Sequence, residues 1–90
     1  MINVHVKLFA TLRDYGSKNL GIGESFTVKF FDSSTIIDLL EKLKIPKEEA
    51  KVVMVNGNIK NDHTYTLIKE DEISIFPPVG GGELTIIIDN

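Results

Sequence analysis

The chain has 90 residues, contains no cysteine and carries a formal charge of −3 at neutral pH. This length supports one domain with a single modest core. The lack of cysteine excludes disulfides, thiolate catalysis and zinc–thiolate sites. The acidic balance argues against a nucleic-acid partner, because phosphate binding requires a clustered basic face. No apolar run approaches the roughly 20 residues that cross a bilayer, and the N-terminus lacks the features of a signal peptide, so we expect a cytoplasmic protein with no membrane partner.

Two alternating segments near the N-terminus predict an antiparallel hairpin. Apolar side chains occupy every second position from Ile2 to Leu8, the period of a strand with one face in a core. They alternate again from Phe26 to Phe30, after a glycine-containing loop at residues 16–23. Two strands joined by a modest loop favour antiparallel pairing. Between the first strand and the loop, the sequence predicts a short helical segment at residues 10–15.

An amphipathic stripe predicts one main helix. From Ile36 to Leu43, apolar residues recur at positions i, i+3, i+4 and i+7, which is the spacing of one helix face. The polar residues before the stripe offer a choice of N-cap oxygens, and we expect Ser33 or Ser34 to cap the helix. Pro46 is expected to end the helix and to begin a short turn.

The second half of the chain predicts further strands around turns. Residues 52–55 are a continuous apolar run that ends at Asn56 and Gly57, the pattern of a buried strand entering a tight turn. With the hairpin and the helix, these strands predict an α+β domain in which one helix packs across a mixed sheet of four to five strands. The other predicted elements are a continued turn at 58–62, a short strand at 65–68, a turn at 69–71 and a last strand at 72–76.

No group of side chains in the sequence predicts catalysis. His5 and His63 belong to no metal-binding spacing or nucleophile–base pattern, and we interpret them as surface or turn histidines. The carboxylates at 48–49 and 70–72 lack a pocket-forming context and are interpreted as solvated turn charges. The glycines at 80–82 are not followed by the lysine and serine or threonine of a phosphate-binding loop. We therefore predict no metal site.

The aromatic residues suggest a docking surface instead. Alternation that buries Ile75 turns Phe76 to the opposite face of the sheet, and the same logic places Phe9 there, with Phe31 as a further candidate. Exposed aromatic side chains supply large contact area at low rotamer cost, so we predict that they dock a partner. The alternative is that loops cover them.

The residues after the last strand suit insertion into another protein. Pro77 and Pro78 offer no N–H to a sheet, so the strand stops and the chain leaves the domain stiff and extended. The glycines at 80–82 have no Cβ atoms, and their backbone can approach a reactive centre through a narrow tunnel. A stiff stem, a thin tip and an adjacent aromatic patch together predict a chain end that enters a partner's active site.

These pieces resemble the MoaD/ThiS family of sulfur-carrier proteins, the prokaryotic relatives of ubiquitin, and within it the MoaD branch. The resemblance covers residues 1–82 and rests on "VHVKLFATLRDYG", "TIIDLLEKL", "VVMVNG" and "DEISIFPPVGGG". It implies the ubiquitin-like β-grasp fold, in which the last strand lies beside the first in the middle of the sheet. It also implies a carrier domain at residues 1–82, followed here by an extension at residues 83–90.

The resemblance implies chemistry that needs no cysteine. In the family, a ubiquitin-activating-type adenylating enzyme of the MoeB/ThiF kind uses ATP and magnesium to adenylate the C-terminal glycine, and a sulfur donor converts the adenylate into a thiocarboxylate. The carrier binds no cofactor and is not itself an enzyme. In the MoaD branch it is the small subunit of molybdopterin synthase, and its tail enters a MoaE-like large subunit to supply sulfur for the dithiolene that holds molybdenum or tungsten.

The resemblance also implies the site residues. Phe76 matches the family's partner-facing aromatic residue, and Arg13 matches the arginine of its "LR" pair at the partner interface. The expected site therefore consists of the reactive Gly82, the tail residues Gly80, Gly81, Pro77 and Pro78, and the partner-binding residues Phe76, Arg13 and Phe9.

The extension at residues 83–90 departs from the family pattern. While Gly82 is joined to Glu83, its carbonyl is an amide and cannot be adenylated. Three explanations stay open: a protease trims the chain after Gly82, a diverged homologue keeps the extension, or the end of the gene is misassigned. Residues 84–88 favour a strand that could pair with a sheet edge of the same or a neighbouring molecule. A permanent extension would make the chain a β-grasp interaction module or ubiquitin-like modifier without sulfur transfer.

Overall fold

A five-stranded sheet organises the part of the chain that the computed structural model describes, residues 1–16, 24–60 and 62–78. The strands lie in the order β2-β1-β5-β3-β4. β1 pairs antiparallel with β2 and parallel with β5, so the first and last strands lie side by side in the middle of the sheet, as predicted. The strands are β1 (Ile2–Leu8), β2 (Ser25–Phe30), β3 (Val52–Val55), β4 (Asn58–Ile59) and β5 (Glu72–Phe76).

Alternation gives the sheet one buried face and one open face. On β1, Val4, Val6 and Leu8 are buried, and the residues between them lie on the other face. The parallel register places Val6 beside Ile73 and Leu8 beside Ile75, so both central strands bury the same face. We call the other face, which carries the alternate residues of each strand, the open face.

The main helix, α1 (Ile36–Leu43), contributes its apolar stripe to the core. Ile36, Leu39 and Leu40 are buried in one cluster with the inward-facing residues of the sheet, and the predicted stripe is confirmed. The helix ends where Lys44 takes the left-handed conformation at φ 62°. Two 3₁₀ helices accompany it: Ala10–Tyr15 follows β1, as the sequence predicts, and Lys47–Glu49 follows Pro46.

The N-cap of α1 is Thr35, so the prediction that Ser33 or Ser34 caps the helix is wrong. The Thr35 hydroxyl accepts a hydrogen bond from the Asp38 N–H at 3.4 Å, and the Asp38 carboxylate accepts one from the Thr35 N–H at 2.8 Å. This reciprocal capping box satisfies two backbone donors at once, whereas a cap one or two residues earlier would satisfy one. Ser33 lies instead in a turn, with φ 75°.

Two predictions for the second half of the chain are also wrong. Residues 58–62 do not simply continue the turn, because Asn58–Ile59 forms β4 and pairs with the end of β3. The connecting residues Asn56 and Gly57 both have positive φ, which suits a two-residue hairpin turn. Residues 65–68 form one bridge, between Thr66 and Thr35, and no strand. They run beside the start of α1 for too few residues to build a ladder.

Candidate partner-binding site

The tail leaves the described domain at the end of β5, where that strand lies between β1 and β3. The Phe76 carbonyl accepts a hydrogen bond from the Lys51 N–H at 2.9 Å. Pro77 and Pro78 follow, and neither has an N–H to donate, so the pairing stops here. Outside the described residues lie the predicted reactive terminus and its neighbours, Gly80, Gly81 and Gly82, and the extension at 83–90.

Phe76 and Phe9 form a stacked pair at the root of the tail. Their ring centroids are 4.3 Å apart and their planes are 11° from parallel. The Phe9 N–H donates to the Ile75 carbonyl at 3.2 Å, which extends the parallel β1–β5 pairing by one residue and brings the two rings together. Both side chains are half-buried, and neither belongs to the core. The two predicted partner-binding aromatics thus form one surface.

Phe31 does not join this surface, and the sequence interpretation that grouped it with Phe9 and Phe76 is wrong. Its side chain is 74% exposed. It follows Phe30, whose partner across the hairpin is Ile2 at the start of β1. Because Phe9 follows the other end of β1, the length of that strand separates the two aromatics.

Arg13 lies in the 3₁₀ helix that directly follows Phe9. This helix contacts the end of β1 and β5, so it brings Arg13 to the end of the sheet from which the tail departs. The turn into the helix places Ala10 at a positive φ of 53°. The Arg13 Nε–H donates to the Ala10 carbonyl at 3.4 Å, and no carboxylate forms an ion pair with Arg13 within the described residues. The guanidinium is therefore available to a partner's carboxylate or carbonyl groups.

The other half of the open face is polar. A cavity of about 340 Å³ is lined by the side chains of His5, Lys7 and Glu72, together with small serines. His5 Nε2 lies 2.6 Å from a Glu70 carboxylate oxygen, and its Nδ1 lies 3.2 Å from the Thr27 hydroxyl. Within residues 1–16, 24–60 and 62–78, neither histidine belongs to a group of three or more side chains that could hold a metal ion. His5 is accordingly part of a surface hydrogen-bond network.

Asp71 is buried, so its interpretation as a solvated turn charge is wrong. The residue is only 4% exposed. Its carboxylate accepts hydrogen bonds from Asn56 Nδ2 at 2.9 Å, the Tyr65 hydroxyl at 3.0 Å and the Ile68 N–H at 2.8 Å. Burial, together with the bond to Asp71, raises the pKa of Tyr65. This network fixes the turn before β5 and is structural.

A family model matches most of the chain. It is described as the ThiS family, and it matches residues 6–82. The match therefore ends at Gly82, the last of the three glycines, and excludes residues 83–90. No curated protein matches the chain significantly. Among the described residues, no helix is long and apolar enough to span a membrane.

Solved structures confirm the predicted ubiquitin-like β-grasp fold. A protein from Pyrococcus furiosus, assigned as molybdopterin converting factor subunit 1, aligns with a TM-score of 0.65 and 24% identity over 88% of this chain and 100% of its own. Small archaeal modifier protein 1 from Haloferax volcanii aligns with a TM-score of 0.63 and 26% identity over 88% and 100%. A chain in the complex of molybdopterin-converting factor subunits 1 and 2 from Helicobacter pylori aligns with a TM-score of 0.56 and 24% identity over 90% and 100%.

Proposed function

The chain belongs to the ThiS family, and from this premise we propose that it is a sulfur carrier whose reactive residue is Gly82 once residues 83–90 are removed. The observation that carries the proposal is the boundary of the family match, which coincides with the last glycine. The free Gly82 carboxylate would be the reacting group. Because all of this chemistry uses the backbone, it fits a chain that has no cysteine.

The reaction that we propose has two steps on the partner enzyme. A Gly82 carboxylate oxygen attacks ATP, which is bound with magnesium by a MoeB/ThiF-like adenylating enzyme, and pyrophosphate leaves. A sulfur donor then displaces AMP and leaves a thiocarboxylate at Gly82. An amide at this position is a far weaker nucleophile and has no carboxylate oxygen to adenylate, so the bond between Gly82 and Glu83 must be hydrolysed first by a processing protease. The carrier is a co-substrate in this scheme, and the adenylating enzyme is the protein that binds ATP and magnesium.

Molybdopterin synthesis is the destination that we propose for the sulfur. One structural neighbour is described as molybdopterin converting factor subunit 1, and another belongs to a complex of molybdopterin-converting factor subunits 1 and 2. A MoaE-like large subunit is accordingly the proposed acceptor. In this complex Phe9, Phe76 and Arg13 would contact the large subunit, while Pro77 and Pro78 would direct the tail toward its active site.

The likeness to small archaeal modifier protein 1 favours one alternative function. This neighbour has the highest sequence identity of the three compared above, at 26%, and is described as a protein modifier. The alternative is that the Gly82 adenylate is attacked by a lysine of another protein, which would attach this chain through an isopeptide bond. Both functions require a free Gly82, and they differ in the group that attacks the adenylate.

Intact mass spectrometry separates these functions. The full chain and a chain that ends at Gly82 are each incubated with the cognate adenylating enzyme, ATP, magnesium and a sulfide donor. We expect the shorter chain to gain the mass difference between one sulfur and one oxygen, and the full chain to remain unchanged until extract from the source cells removes residues 83–90. Sulfur transfer is contradicted if the shorter chain never gains this mass although the enzyme consumes ATP in its presence. Conjugates of higher mass would instead support the modifier.

A matched pair of variants tests the role of the terminal glycine itself. Replacing Gly82 by alanine in the shorter chain adds one methyl group beside the reacting carboxylate, whereas replacing Ser17 by alanine changes a residue far from it in the sequence. We expect the Gly82→Ala chain to lose most of the mass gain, because glycine alone lets the backbone approach closely. The Ser17→Ala chain should react like the unmodified one.

A further inference from the structure

An apolar groove runs between α1 and the segment that follows β4. It has a volume of about 500 Å³, which lies within the roughly 300–1,000 Å³ that is typical of binding pockets. Ile37, Leu40 and Ile45 form its apolar lining. Leu40 and Ile45 are buried, whereas the Ile37 side chain is 42% exposed. A segment that covered Ile37 would therefore remove apolar surface from water.

The charged residues of the groove are of both signs. Glu41 and Asp62 line it together with Lys47 and His63. Because neither sign dominates, the groove does not select its occupant by net charge. Its apolar lining selects instead, and the segment that fits this lining is an uncharged and apolar one.

The chain itself carries such a segment. Residues 84–88 have the sequence Leu-Thr-Ile-Ile-Ile, which is uncharged and apolar at four of its five positions. In an extended segment alternate side chains point the same way, so Leu84, Ile86 and Ile88 would share one side. Burial of these side chains would be favourable, because each removes apolar surface from water.

The groove begins close to the root of the tail. The Lys51 N–H donates to the Phe76 carbonyl at 2.9 Å, so Lys51 lies beside the last residue of β5. Lys47, which lines the groove, comes four residues earlier in the sequence, at the start of the 3₁₀ helix Lys47–Glu49. Because such a helix advances about 2 Å per residue, Lys47 lies roughly 8 Å from Lys51. The tail therefore leaves the domain near one end of the groove.

The chain between the root of the tail and the apolar run is long enough to reach the groove. Six residue steps separate Pro78 from Leu84, and an extended chain of this length spans up to about 20 Å. The path along the domain from Pro78 to Lys47 is also roughly 20 Å on the same geometry, and the direct distance is no longer than this path. The glycines at 80–82 allow the chain to turn. Leu84 can therefore enter the groove beside Lys47.

The length of the apolar run matches the length of the groove. Ile37 lies near the start of α1, and Ile45 lies just after its end, where the Ile45 N–H donates to the Leu40 carbonyl at 2.9 Å. At about 1.5 Å per residue, the apolar lining extends along roughly 10 Å of the helix. An extended segment from Leu84 to Ile88 covers about 13 Å. The two apolar surfaces can therefore lie along each other for most of their lengths.

We propose that residues 84–88 of the chain itself occupy this groove, with Leu84 toward Ile45 and Ile88 toward Ile37. The covalent link favours this occupant over a separate molecule, because a short linker gives an effective concentration on the order of 1 mM or more. The extension then acts as an internal ligand of the domain. This goes beyond sulfur transfer, since the docking requires only the groove and the apolar run.

The docked extension would also control where the tail lies. α1 packs against the buried face of the sheet, whereas Phe76 lies on the open face, so the groove and the aromatic pair are on opposite sides. A docked extension draws the tail toward the helix and away from a partner at the aromatic pair. This consequence rests on the proposed function: the tail is withheld from the partner until residues 83–90 are removed.

A spin label on the full chain tests the docking. The chain has no cysteine, so Asn90→Cys supplies a single thiol for a nitroxide label, which broadens the amide NMR signals of nearby residues. We expect the amide signals of Ile37 and Thr64, at the far end of the groove, to lose most of their intensity. The signal of Thr27, on the edge strand β2, should keep its intensity. The same sample with its nitroxide reduced gives the reference spectrum.

Two matched pairs of variants of the labelled chain locate the contact. Ile37→Gln removes the exposed apolar side chain and keeps a good helix former, so it should restore most of the lost intensity. Its control is Ile59→Gln, at a position that is 61% exposed and outside the groove, and it should leave the broadening unchanged. In the extension, Ile86→Gln/Ile88→Gln should restore the intensity, whereas Thr85→Gln should not.

Four outcomes overturn the proposal. Broadening at Thr27 in place of Ile37 would put the extension at the edge of the sheet. Unchanged broadening in the Ile37→Gln chain would show that the groove is not the docking surface. Weak broadening of all signals alike would show that the extension has no preferred site.

The fourth outcome concerns a second copy of the chain. An isotope-labelled chain without nitroxide is mixed with a nitroxide-labelled chain that carries no isotope. Broadening in this mixture as strong as in the single labelled chain would mean that the extension docks on another molecule. None of these readouts uses the adenylating enzyme, so failure here is distinguishable from failure of the mass test.

Discussion

The rings of Phe9 and Phe76 stack at a centroid distance of 4.3 Å, where the two central strands of the sheet end. A parallel pairing of the first and last strands is what brings residues 67 positions apart into contact. The stack is half-buried, so each ring keeps one part of its surface for a partner. Because Pro77 follows directly, a protein that binds the ring pair also determines where the tail begins.

Replacing Phe76 by alanine should weaken binding of the large-subunit partner. Aromatic side chains at the centre of an interface commonly contribute about 2 kcal/mol or more, which is a loss of affinity of roughly thirtyfold. The free energy of unfolding should fall as well, since an aromatic pair contributes about 0.5–1.5 kcal/mol beyond its buried area. Isothermal titration calorimetry and thermal unfolding measure the two effects.

Phe31→Ala is the matched control for that change. Phe31 is 74% exposed and lies at the other end of the sheet. We expect its removal to leave both the affinity and the stability within experimental error. Equal losses of affinity from the two substitutions would show that the partner does not dock at the stacked pair.

Arg13 should act through the shape of its guanidinium as well as its charge. Arg13→Ala is expected to lower partner affinity by about tenfold, a typical effect of removing an interfacial arginine. Arg13→Lys should recover little of this, because an ammonium group lacks the planar fork of donors. The free energy of unfolding should change by no more than about 1 kcal/mol, because the half-buried Arg13 loses one hydrogen bond, to the Ala10 carbonyl. Full recovery of affinity by lysine would show that only the positive charge matters.

The sheet and the main helix could be predicted because many residues repeat the same signal. Val4, Val6 and Leu8 alternate on the first strand, and Ile73 and Ile75 alternate on the last, so a single exception would not change the assignment. The N-cap of α1 was harder to predict, because its position depends on a single side-chain pair. A nearby serine is an equally good N-cap residue by type, and only the reciprocal hydrogen bonds with Asp38 select Thr35.

The aromatic pair and the buried Asp71 differ in how far the sequence predicts them. Phe9 and Phe76 follow from alternation on single strands, although their direct stacking requires the parallel pairing of β1 and β5. The burial of Asp71 does not follow from any local pattern, because it depends on donors from Asn56 and Tyr65, which lie in separate segments of the chain.

Asp71→Asn should destabilise the fold strongly. The asparagine amide would place an N–H group opposite one of the groups that now donate hydrogen bonds to the carboxylate. The substitution would also remove the negative charge that strengthens the other hydrogen bonds. Hydrogen bonds to charged groups contribute about 1.5–3 kcal/mol each, so we expect a loss of about 2–4 kcal/mol in the free energy of unfolding by urea. The neighbouring Glu72→Gln, at an exposed position, should change it by less than about 0.5 kcal/mol. Similar effects of the two would contradict a buried network.

The capping box of α1 predicts a coupling between Thr35 and Asp38. Thr35→Ala should cost about 1 kcal/mol, the usual value of an N-cap side chain. Asp38→Ala should also destabilise the helix, because it removes the bond to the Thr35 N–H and a negative charge near the helix N-terminus. The double variant should lose less than the sum of the two single losses, by about 0.5 kcal/mol or more. Strict additivity in urea unfolding would show that the two side chains act independently.

Tyr65 should make the fold sensitive to alkaline pH. Burial, and then its hydrogen bond to Asp71, raises the pKa of Tyr65 above the ordinary value of about 10. The folded chain therefore holds the phenolic proton more tightly than the unfolded chain does. The resulting stability is fully present below about pH 10 and is lost as pH rises from there through the pKa of the folded state.

The variant Tyr65→Phe tests this. It should lower the free energy of unfolding by about 1 kcal/mol near pH 7, the typical contribution of one hydrogen bond, and that free energy should then decline less steeply above pH 10. The two chains share every other ionisable group, so the difference between their pH profiles of unfolding in urea isolates Tyr65. Parallel pH profiles would contradict the role of the bond between Tyr65 and Asp71. They would mean that the Tyr65 hydroxyl holds its proton equally well in the folded and unfolded chains, so that its loss does not change how the free energy of unfolding depends on pH.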